Sequence, residues 1–360
     1  MNAIVKLEHV SKCFVKDHYI IKDLSLDVYE GEFLTLLGSS GCGKTTVLRM
    51  ISGLEQVTSG RIYIDGVDVT DMDPTKREVN TIFQNFALFP HMSVWNNVSF
   101  GLKMKKVSKG DIYKRVKKVL KLVKLEGFED RLPGQLSGGQ QQRVAIARGI
   151  VMNPKVLLLD ESLCSLDLKL KRQMQIELKK IQKKLGITFI YVTHDQDEAL
   201  TMSDRIVIID KGIIQQIDTP QNIYRNPRTT FVADFIGESN IMSGEVISLN
   251  DNVVTLRVAD SIFFTIARDQ SDKIGKKIFV MIRPENIQVS VNSTESNIRG
   301  VIRDVVYDGA ITKLFIDVDG EFNLKVTTTG NINLLENQIV YLIISQDSIV
   351  PIRGNKYEKK

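Results

Sequence analysis

Short runs of apolar residues, separated by stretches of helical length, organise the first two thirds of the chain. The runs AIVKLEHV, FLTLL, VLLLD, ITFIYVTH and RIVIID have the length of strands, and FLTLL is continuous enough to be a central one. Strands that alternate with helices are typical of a parallel sheet wrapped by helices. We therefore expect an α/β domain over residues 4–236, with a charged helical subdomain over about residues 93–150.

After about residue 236 the pattern changes to short strands between turn signals. The segments GEVISLN, VVTLRVA, IFVMIRP, GVIRDVVYDG, TKLFIDVDG and QIVYLIIS alternate in this way, and helical periodicity is nearly absent. This pattern predicts a separate, small, all-β domain of barrel-like form over residues 237–360.

Composition and charge exclude some classes of protein but do not identify a single one. Lysine and arginine exceed aspartate and glutamate by 48 − 43 = 5, a mild excess that permits an anionic ligand without requiring one. The basic run KRVKKVLKLVK is typical of a solvated helix face; a nucleic-acid patch is the weaker alternative, because few aromatic residues interleave with its charges. No apolar run approaches the length of a membrane span, and the N-terminus indicates a strand rather than a signal peptide. The three scattered cysteines favour a reducing cytosol over a disulfide framework or a zinc site.

The most specific motif is GSSGCGKT, which matches the phosphate-binding pattern GxxxxGK[ST]. Its glycines let backbone N–H groups converge on phosphate oxygens at the start of a helix, while Lys44 adds a charge and Thr45 a hydroxyl for Mg²⁺. A chance glycine-rich turn is the alternative, which the strand before and the helix after disfavour. The residues predicted to bind ATP here are Gly38, Ser39, Ser40, Gly41, Cys42, Gly43, Lys44, Thr45 and Thr46.

Two adjacent carboxylates end the run VLLLD. A phosphate-binding loop needs a carboxylate at a neighbouring strand end to hold the Mg²⁺ of MgATP, and Asp160 suits that role. Glu161 then suits a general base that polarises the attacking water. The alternative is that both acids merely favour the start of the next helix.

The stretch LSGGQQQRVAIAR, from Leu136, resembles the signature sequence of ATP-binding cassette (ABC) ATPases. The resemblance implies a second phosphate cradle at a helix N-terminus, formed by Ser137, Gly138, Gly139 and Gln140. In that family each ATP lies between the phosphate-binding loop of one subunit and the signature of the other, so the resemblance implies a homodimer.

The same resemblance assigns further roles. Phe14 matches the aromatic residue that stacks on adenine, with a core aromatic as the alternative. Gln84 matches the glutamine that reaches Mg²⁺ and the attacking water, and His194 matches the histidine that contacts the γ-phosphate. Asp167 matches the loop that touches the other subunit. The implied catalytic residues are Glu161, His194 and Gln84, and the implied metal-binding residues are Thr45, Gln84 and Asp160.

The resemblance extends to bacterial importers. MIRPENIQV resembles the C-terminal β domain of importer ATPases, so the expected fold is an ABC cassette followed by a small OB-like (TOBE-type) domain that pairs subunits or regulates them. Ser162, in DESL, resembles the serine that the polyamine (spermidine/putrescine) branch of these importers commonly carries at this position. Ser39, Cys164 and Gly149 depart from the family's usual residues without removing a catalytic group. The implied partners are two transmembrane permease subunits and an extracytoplasmic solute-binding protein, at the cytoplasmic face of the inner membrane, with no nucleic acid.

Alternatives remain open at this stage. Sugar, sulfate and iron importers share almost every motif, because the chain does not touch the solute. A soluble ABC ATPase that acts on nucleic acid is a weaker alternative, since such proteins usually carry two cassettes or a long coiled-coil insertion. Cys42 is predicted to have a lowered thiol pKa at the helix N-terminus, with an unreactive small residue as the alternative.

Overall fold

The computed structural model describes residues 2–15, 18–161, 168–250, 253–260, 262–267, 276–292, 296, 298–330 and 334–354, with Leu168 and Ala267 described by their backbone alone. Contacts divide the chain into two compact units, Met1–Pro220 and Gln221–Lys360. The domain limits expected from the sequence, 4–236 and 237–360, stay predictions. In the described residues no helix has the length and apolar character needed to cross a membrane.

Two sheets organise the first unit. One is antiparallel, in the order β2-β1-β4-β5, and the other has the order β10-β9-β3-β8-β7-β6, in which β9 to β6 run parallel and β10 pairs antiparallel with β9. The strands are β1 (Ala3–Val15), β2 (His18–Tyr29), β3 (Phe33–Leu37), β4 (Ser59–Ile64), β5 (Val67–Asp68), β6 (Val79–Ile82), β7 (Val156–Asp160), β8 (Thr188–Thr193), β9 (Arg205–Asp210) and β10 (Ile213–Asp218).

The first unit contains the helices α1 (Lys44–Ser52), α2 (Val94–Met104), α3 (Lys109–Leu122), α4 (Gly138–Ile150), α5 (Leu168–Leu185) and α6 (Gln196–Met202). Helices α1, α4 and α6 pack on the mainly parallel sheet, and α3 packs on α2 and α4. Strands β3 and β8 are buried along their whole length, which explains why their sequences are continuous apolar runs rather than alternating ones. Phe33, Phe189 and Tyr191 pack together in the core on one face of this sheet.

Serine residues set the start of the three helices between β6 and β7. The side chains of Ser93, Ser108 and Ser137 each accept a hydrogen bond from a backbone N–H in the first turn of α2, α3 and α4. Gly149 lies where α4 packs on the sheet, and a Cβ added there would come within 3.0 Å of Leu157. This close approach accounts for a glycine at that position.

The second unit is mainly β. Helices α7 (Pro220–Arg225) and α8 (Thr230–Phe235) precede two antiparallel five-stranded sheets, β13-β12-β11-β14-β20 and β15-β19-β16-β17-β18. The strands are β11 (Asn240–Leu249), β12 (Val253–Arg257), β13 (Phe263–Ala267), β14 (Lys277–Ile282), β15 (Ile287–Ser290), β16 (Ile298–Asp308), β17 (Ile311–Val318), β18 (Phe322–Thr329), β19 (Ile339–Ile344) and β20 (Val350–Ile352). Residues of both sheets form one apolar core. The predicted class, an α/β unit followed by a small all-β unit, is confirmed.

Candidate nucleotide-binding and hydrolysis site

The predicted site residues of the first unit follow four neighbouring parallel strands. The phosphate-binding loop follows β3, His194 follows β8, Glu161 follows β7 and Gln84 lies two residues after β6. Because the carboxyl ends of parallel strands lie at one edge of a sheet, these groups share one edge. This is the usual place for a ligand in an open α/β sheet.

Glycine is required at two positions of the phosphate-binding loop. A Cβ on Gly38 would lie 2.2 Å from the carbonyl oxygen of Ile209, and Gly43 has φ 105° and would meet Ile21 at 2.4 Å. Gly43 is also the N-cap of α1 and offers no side chain to the first N–H groups of that helix. These N–H groups therefore remain available to an anion, as phosphate binding needs.

Lys44 lies buried inside this loop. Its ammonium donates hydrogen bonds to the carbonyl oxygens of Gly38, at 2.9 Å, and Ser39, at 2.8 Å. The thiol of Cys42 lies 3.8 Å from the same ammonium. Burial nevertheless raises the pKa of the Cys42 thiol, although the charge of Lys44 acts in the opposite direction. The predicted lowering of this pKa is therefore wrong, because loss of solvation outweighs the nearby positive charge.

Thr45 and Asp160 meet across the junction of α1 and β7. The Thr45 hydroxyl donates to Asp160 Oδ1 at 3.1 Å. Burial raises the pKa of the Asp160 carboxyl, the bond from Thr45 opposes that rise, and the charge of Glu161 adds to it. A hydroxyl and a carboxylate this close form a pair of hard oxygen ligands of the kind that Mg²⁺ prefers.

Glu161 lies at the centre of the three residues expected to be catalytic. Gln84 Nε2 donates to its Oε2 at 3.2 Å, and His194 Nδ1 lies 3.2 Å from its Oε1. The backbone of Glu161 has φ 42°, a left-handed conformation that costs energy for a residue with a side chain. Its own N–H donates to the carbonyl of Val192, so the strained turn is tied to β8.

Two residues absent from the sequence predictions hold the loop that carries Gln84. The Arg148 guanidinium, on α4, donates to the carbonyl oxygens of Ala87 at 2.7 Å and Phe86 at 2.9 Å, which both have positive φ. Fully buried Asn97 donates to the carbonyls of Phe89 and Met92 and accepts from the Phe89 N–H. The loop is thus fastened to the helices that surround it.

The predicted second cradle forms the start of α4. The Ser137 hydroxyl accepts from the Gln140 N–H at 3.4 Å, and the Gln140 side chain accepts from the Ser137 N–H at 2.9 Å. Gly139 packs so closely on Leu170 that a Cβ there would lie 3.0 Å away. Within the described part of the chain, no hydrogen bond or ion pair joins this cradle to the phosphate-binding loop.

Comparison with known proteins identifies the family. The ABC transporter family model matches residues 21–163, and the TOBE domain model matches residues 280–337. The spermidine/putrescine import ATP-binding protein of Acetivibrio thermocellus is 50% identical over 321 residues, which is 89% of this chain and 88% of that protein. Its counterpart in Clostridium novyi is 51% identical over 313 residues, 87% of this chain and 88% of that one. The chain belongs to the spermidine/putrescine import ATP-binding protein family of ABC transporters.

Solved structures resemble the nucleotide-binding part of this family member. The cbiO1 protein of Clostridium perfringens, part of the ABC transporter complex cbiONQ, has a TM-score of 0.58 and 32% identity and covers 62% of this chain and 91% of its own. The ATP-binding cassette MJ0796, in a dimeric post-hydrolysis state bound to ADP and Pi, has a TM-score of 0.54 and 36% identity and covers 60% of this chain and 98% of its own. The family and the fold predicted from the motifs are both confirmed.

Phe14 lies apart from the buried core of this ABC subunit. Its side chain is 58% exposed, and the Lys12 ammonium lies 4.8 Å from the centre of its ring. The alternative of a core aromatic is therefore wrong, and a role in stacking on adenine stays a prediction. Asp167, Ser162 and Cys164 lie outside the described residues.

A buried group of polar residues behind His194 was also missed by the sequence analysis. Lys171 on α5 pairs with Asp195 and Glu198, which flank the start of α6. The spacing Asp195-x-x-Glu198 is typical of a helix N-terminus, and this pattern does not indicate burial. Glu198 is in fact 0% exposed.

Proposed function

We propose that this chain is the ATP-hydrolysing subunit of a bacterial importer that takes up the polyamines spermidine and putrescine. One observation carries the proposal. Glu161, bracketed by Gln84 and His194, lies at the same sheet edge as a complete phosphate-binding loop. The chain that holds this site is about half identical to spermidine/putrescine import ATP-binding proteins along most of its length.

The phosphate-binding loop supplies the cradle for the nucleotide. Free N–H groups at the start of α1 and the buried Lys44 ammonium are suited to the β- and γ-phosphates. Thr45 and Asp160 fit Mg²⁺, and the described residues contain no cluster of three His, Cys, Asp or Glu side chains that could hold a metal ion by themselves. The remaining ligands would therefore be oxygens of the substrate phosphates and water. Bound Mg²⁺ would neutralise negative charge on the phosphates that react.

Glu161 is placed to accept a proton from the water that attacks the γ-phosphate. Gln84 fixes one of its carboxylate oxygens, and the His194 ring lies against the other. With Nδ1 protonated, the His194 ring donates to Glu161 Oε1. The two partners restrict the carboxylate to one orientation, which is what a general base needs.

The second cradle at Ser137 is separate from these groups, and we assign it to the nucleotide held by another copy of the chain. Two copies would then enclose two ATP molecules between them. We assign the chain two permease subunits and an extracytoplasmic solute-binding protein as partners, because its relatives are import ATP-binding proteins. The chain would act at the cytoplasmic face of the inner membrane, and the all-β unit would pair or regulate the subunits.

The test of ATP hydrolysis is Glu161→Gln, which keeps the shape of the side chain and removes its basicity. We expect ATP binding to persist, turnover to fall by roughly 100-fold or more, and an ATP-bound dimer to accumulate in size-exclusion chromatography. Glu126→Gln, the same change at an exposed position of the first unit, should behave like the native chain. ATP hydrolysis by Glu161→Gln at the native rate would contradict the assignment.

The test of the solute uses the complete importer in vesicles. Spermidine or putrescine, presented by the solute-binding protein, should stimulate ATP hydrolysis, whereas a sugar, sulfate or iron should not. Stimulation by one of those other solutes alone would retain the importer and overturn the polyamine assignment.

A further inference from the structure

Lys171 lies in the first turn of α5, and its side chain reaches the residues that follow β8 in the chain. Its ammonium is 2.6 Å from Asp195 Oδ2 and 2.8 Å from Glu198 Oε1. The Glu198 side chain is 0% exposed and that of Lys171 is 16% exposed, so the contact is nearly sealed from solvent. One ammonium group therefore pairs with two carboxylates at the start of α6, directly after His194 in the chain.

The same carboxylates fix the backbone on both sides of His194. The Thr193 hydroxyl donates to Glu198 Oε2 at 2.5 Å and accepts from the Asp195 N–H at 3.0 Å. Tyr191 donates to the same Glu198 oxygen at 2.5 Å. Since Thr193 and Asp195 adjoin His194, these hydrogen bonds restrain the backbone on both sides of His194.

The ion pair is not needed to start α6. Asp195 Oδ1 already accepts from the Glu198 N–H at 3.1 Å, which caps that helix. Burial lowers the pKa of the Lys171 ammonium, but its bonds to Asp195 and Glu198 outweigh burial and raise that pKa above its usual value. Lys171 therefore stays charged. A buried ion pair is weak evidence for added stability. The effect to be explained is therefore the position of the turn that the pair holds.

We propose that Lys171 is a positioning residue for hydrolysis: by tying α5 to the turn 193–195, it keeps His194 Nδ1 within 3.2 Å of Glu161. The proposal rests on the assignment of His194 and Glu161 to ATP hydrolysis. In this role Lys171 does not contact the nucleotide. Loss of the tie should therefore leave ATP binding intact and slow the chemical step.

The first test is the double variant Lys171→Met with Glu198→Gln. It removes the cation together with the buried charge, and it leaves an amide oxygen that can accept from Thr193 and Tyr191. We expect cooperative melting, a KM for ATP within about twofold of the native value, and a kcat lower by at least roughly tenfold, because small displacements of reacting groups slow catalysis strongly. Lys171→Arg should restore most of kcat, because it keeps the charge between the two carboxylates.

A second variant leaves the Lys171–Glu198 pair in place. Asp195→Asn still caps α6, since asparagine is as good an N-cap as aspartate, but its NH₂ group cannot accept from Lys171. We expect the same selective loss of kcat. The matched control is Lys179→Met on the same helix: Lys179 is 2.6 Å from Asp204, its side chain is 19% exposed, and Asp204 lies outside the turn that carries His194. This control should keep the native kcat.

The outcomes separate the two proposals. A native kcat in both Asp195→Asn and the double variant would overturn the role of Lys171, as would a Lys171→Arg variant that is as slow as the double variant. An equal loss of kcat in Lys179→Met would also overturn it, because the effect would then belong to α5 in general. Absence of ATP hydrolysis in the native chain within its complex would instead overturn the proposed function.

Discussion

Arg148→Met is the change that best tests whether the loop carrying Gln84 is held in place from α4. The guanidinium makes two hydrogen bonds to the loop carbonyls of Ala87 and Phe86, at 2.7 and 2.9 Å, and lies 5.5 Å from the centre of the Phe89 ring. A hydrogen bond to a charged group contributes about 1.5–3 kcal/mol. Since one of these bonds is exposed to solvent, we expect their joint loss to cost about 2–4 kcal/mol.

This loss should appear as local opening of the loop. Hydrogen exchange at the amides of Phe86 and Phe89, which donate to Phe83 O and Asn97 Oδ1, would lose protection by roughly 30- to 1000-fold, the equivalent of 2–4 kcal/mol. Gln84 would then leave Glu161 part of the time, so kcat should fall on the order of tenfold while the KM for ATP stays near its native value.

Arg131→Met is the matched control for Arg148→Met. The Arg131 guanidinium also lies over an aromatic ring, 4.3 Å from the centre of Phe128, but its side chain is exposed and does not hold the Gln84 loop. It should leave both loop exchange and kcat unchanged. Unaltered exchange and kcat in Arg148→Met would refute the reasoning, because the two hydrogen bonds would then contribute nothing to the loop.

Three further predictions follow from burial. Because burial raises the pKa of Asp160, the folded protein holds that proton more tightly than the unfolded chain and loses stability as the pH rises through the native pKa. Asp160→Asn should therefore raise the urea midpoint at pH 7 and leave it nearly unchanged below about pH 3, where the carboxyl is protonated in both states; a lower midpoint at pH 7 would contradict this. Cys42 is 4% exposed with a raised thiol pKa, so peptide mass spectrometry should find it alkylated far more slowly by iodoacetamide in the folded protein than in urea, and equal rates would show the site to be open. Both amide atoms of fully buried Gln142 lack a hydrogen-bond partner among the described residues, so Gln142→Leu should raise the free energy of unfolding by roughly 1–3 kcal/mol in a urea titration; destabilisation would show that the amide is satisfied.

The groups at strand ends could be predicted from sequence because continuous apolar runs mark the strands of a buried parallel sheet. Asp160 and Glu161 close VLLLD and His194 closes ITFIYVTH, so the sheet itself brings them to one edge. An edge strand was harder to find. β2, a 12-residue strand at the edge of the antiparallel sheet, was not predicted, because its apolar residues alternate with polar ones and do not form a continuous apolar run.

The residues that hold the site in place could not be found in this way. Arg148 acts on a loop 61 residues away in the chain, and Lys171 acts on a turn 24 residues away. Lys171 lies in a run of charged and polar residues that resembles a solvated helix surface, and Glu198 resembles an exposed helix cap. Arg148 lies in the apolar run VAIARGIV, where nothing indicates the distant loop that it binds. The direction of the Cys42 pKa was missed for a related reason: helix position favours the thiolate, but only the three-dimensional structure shows how completely the thiol is removed from water.

The distribution of donors and carboxylates within one chain bears on how many chains a working site needs. α1 and α4 each begin with backbone N–H groups suited to phosphate, and the Ser137 hydroxyl, although it accepts from Gln140, can still donate its proton. Only the cradle at α1 shares an edge with Glu161, Gln84 and His194. A cradle that has hydrogen-bond donors but no general base can bind a phosphate and cannot activate water. It would therefore serve catalysis only when placed against a nucleotide for which another chain supplies the general base. In the proposed dimer, two copies related by a twofold axis would provide that arrangement twice, because each would lend its α4 donors to the nucleotide held beside the other's Glu161.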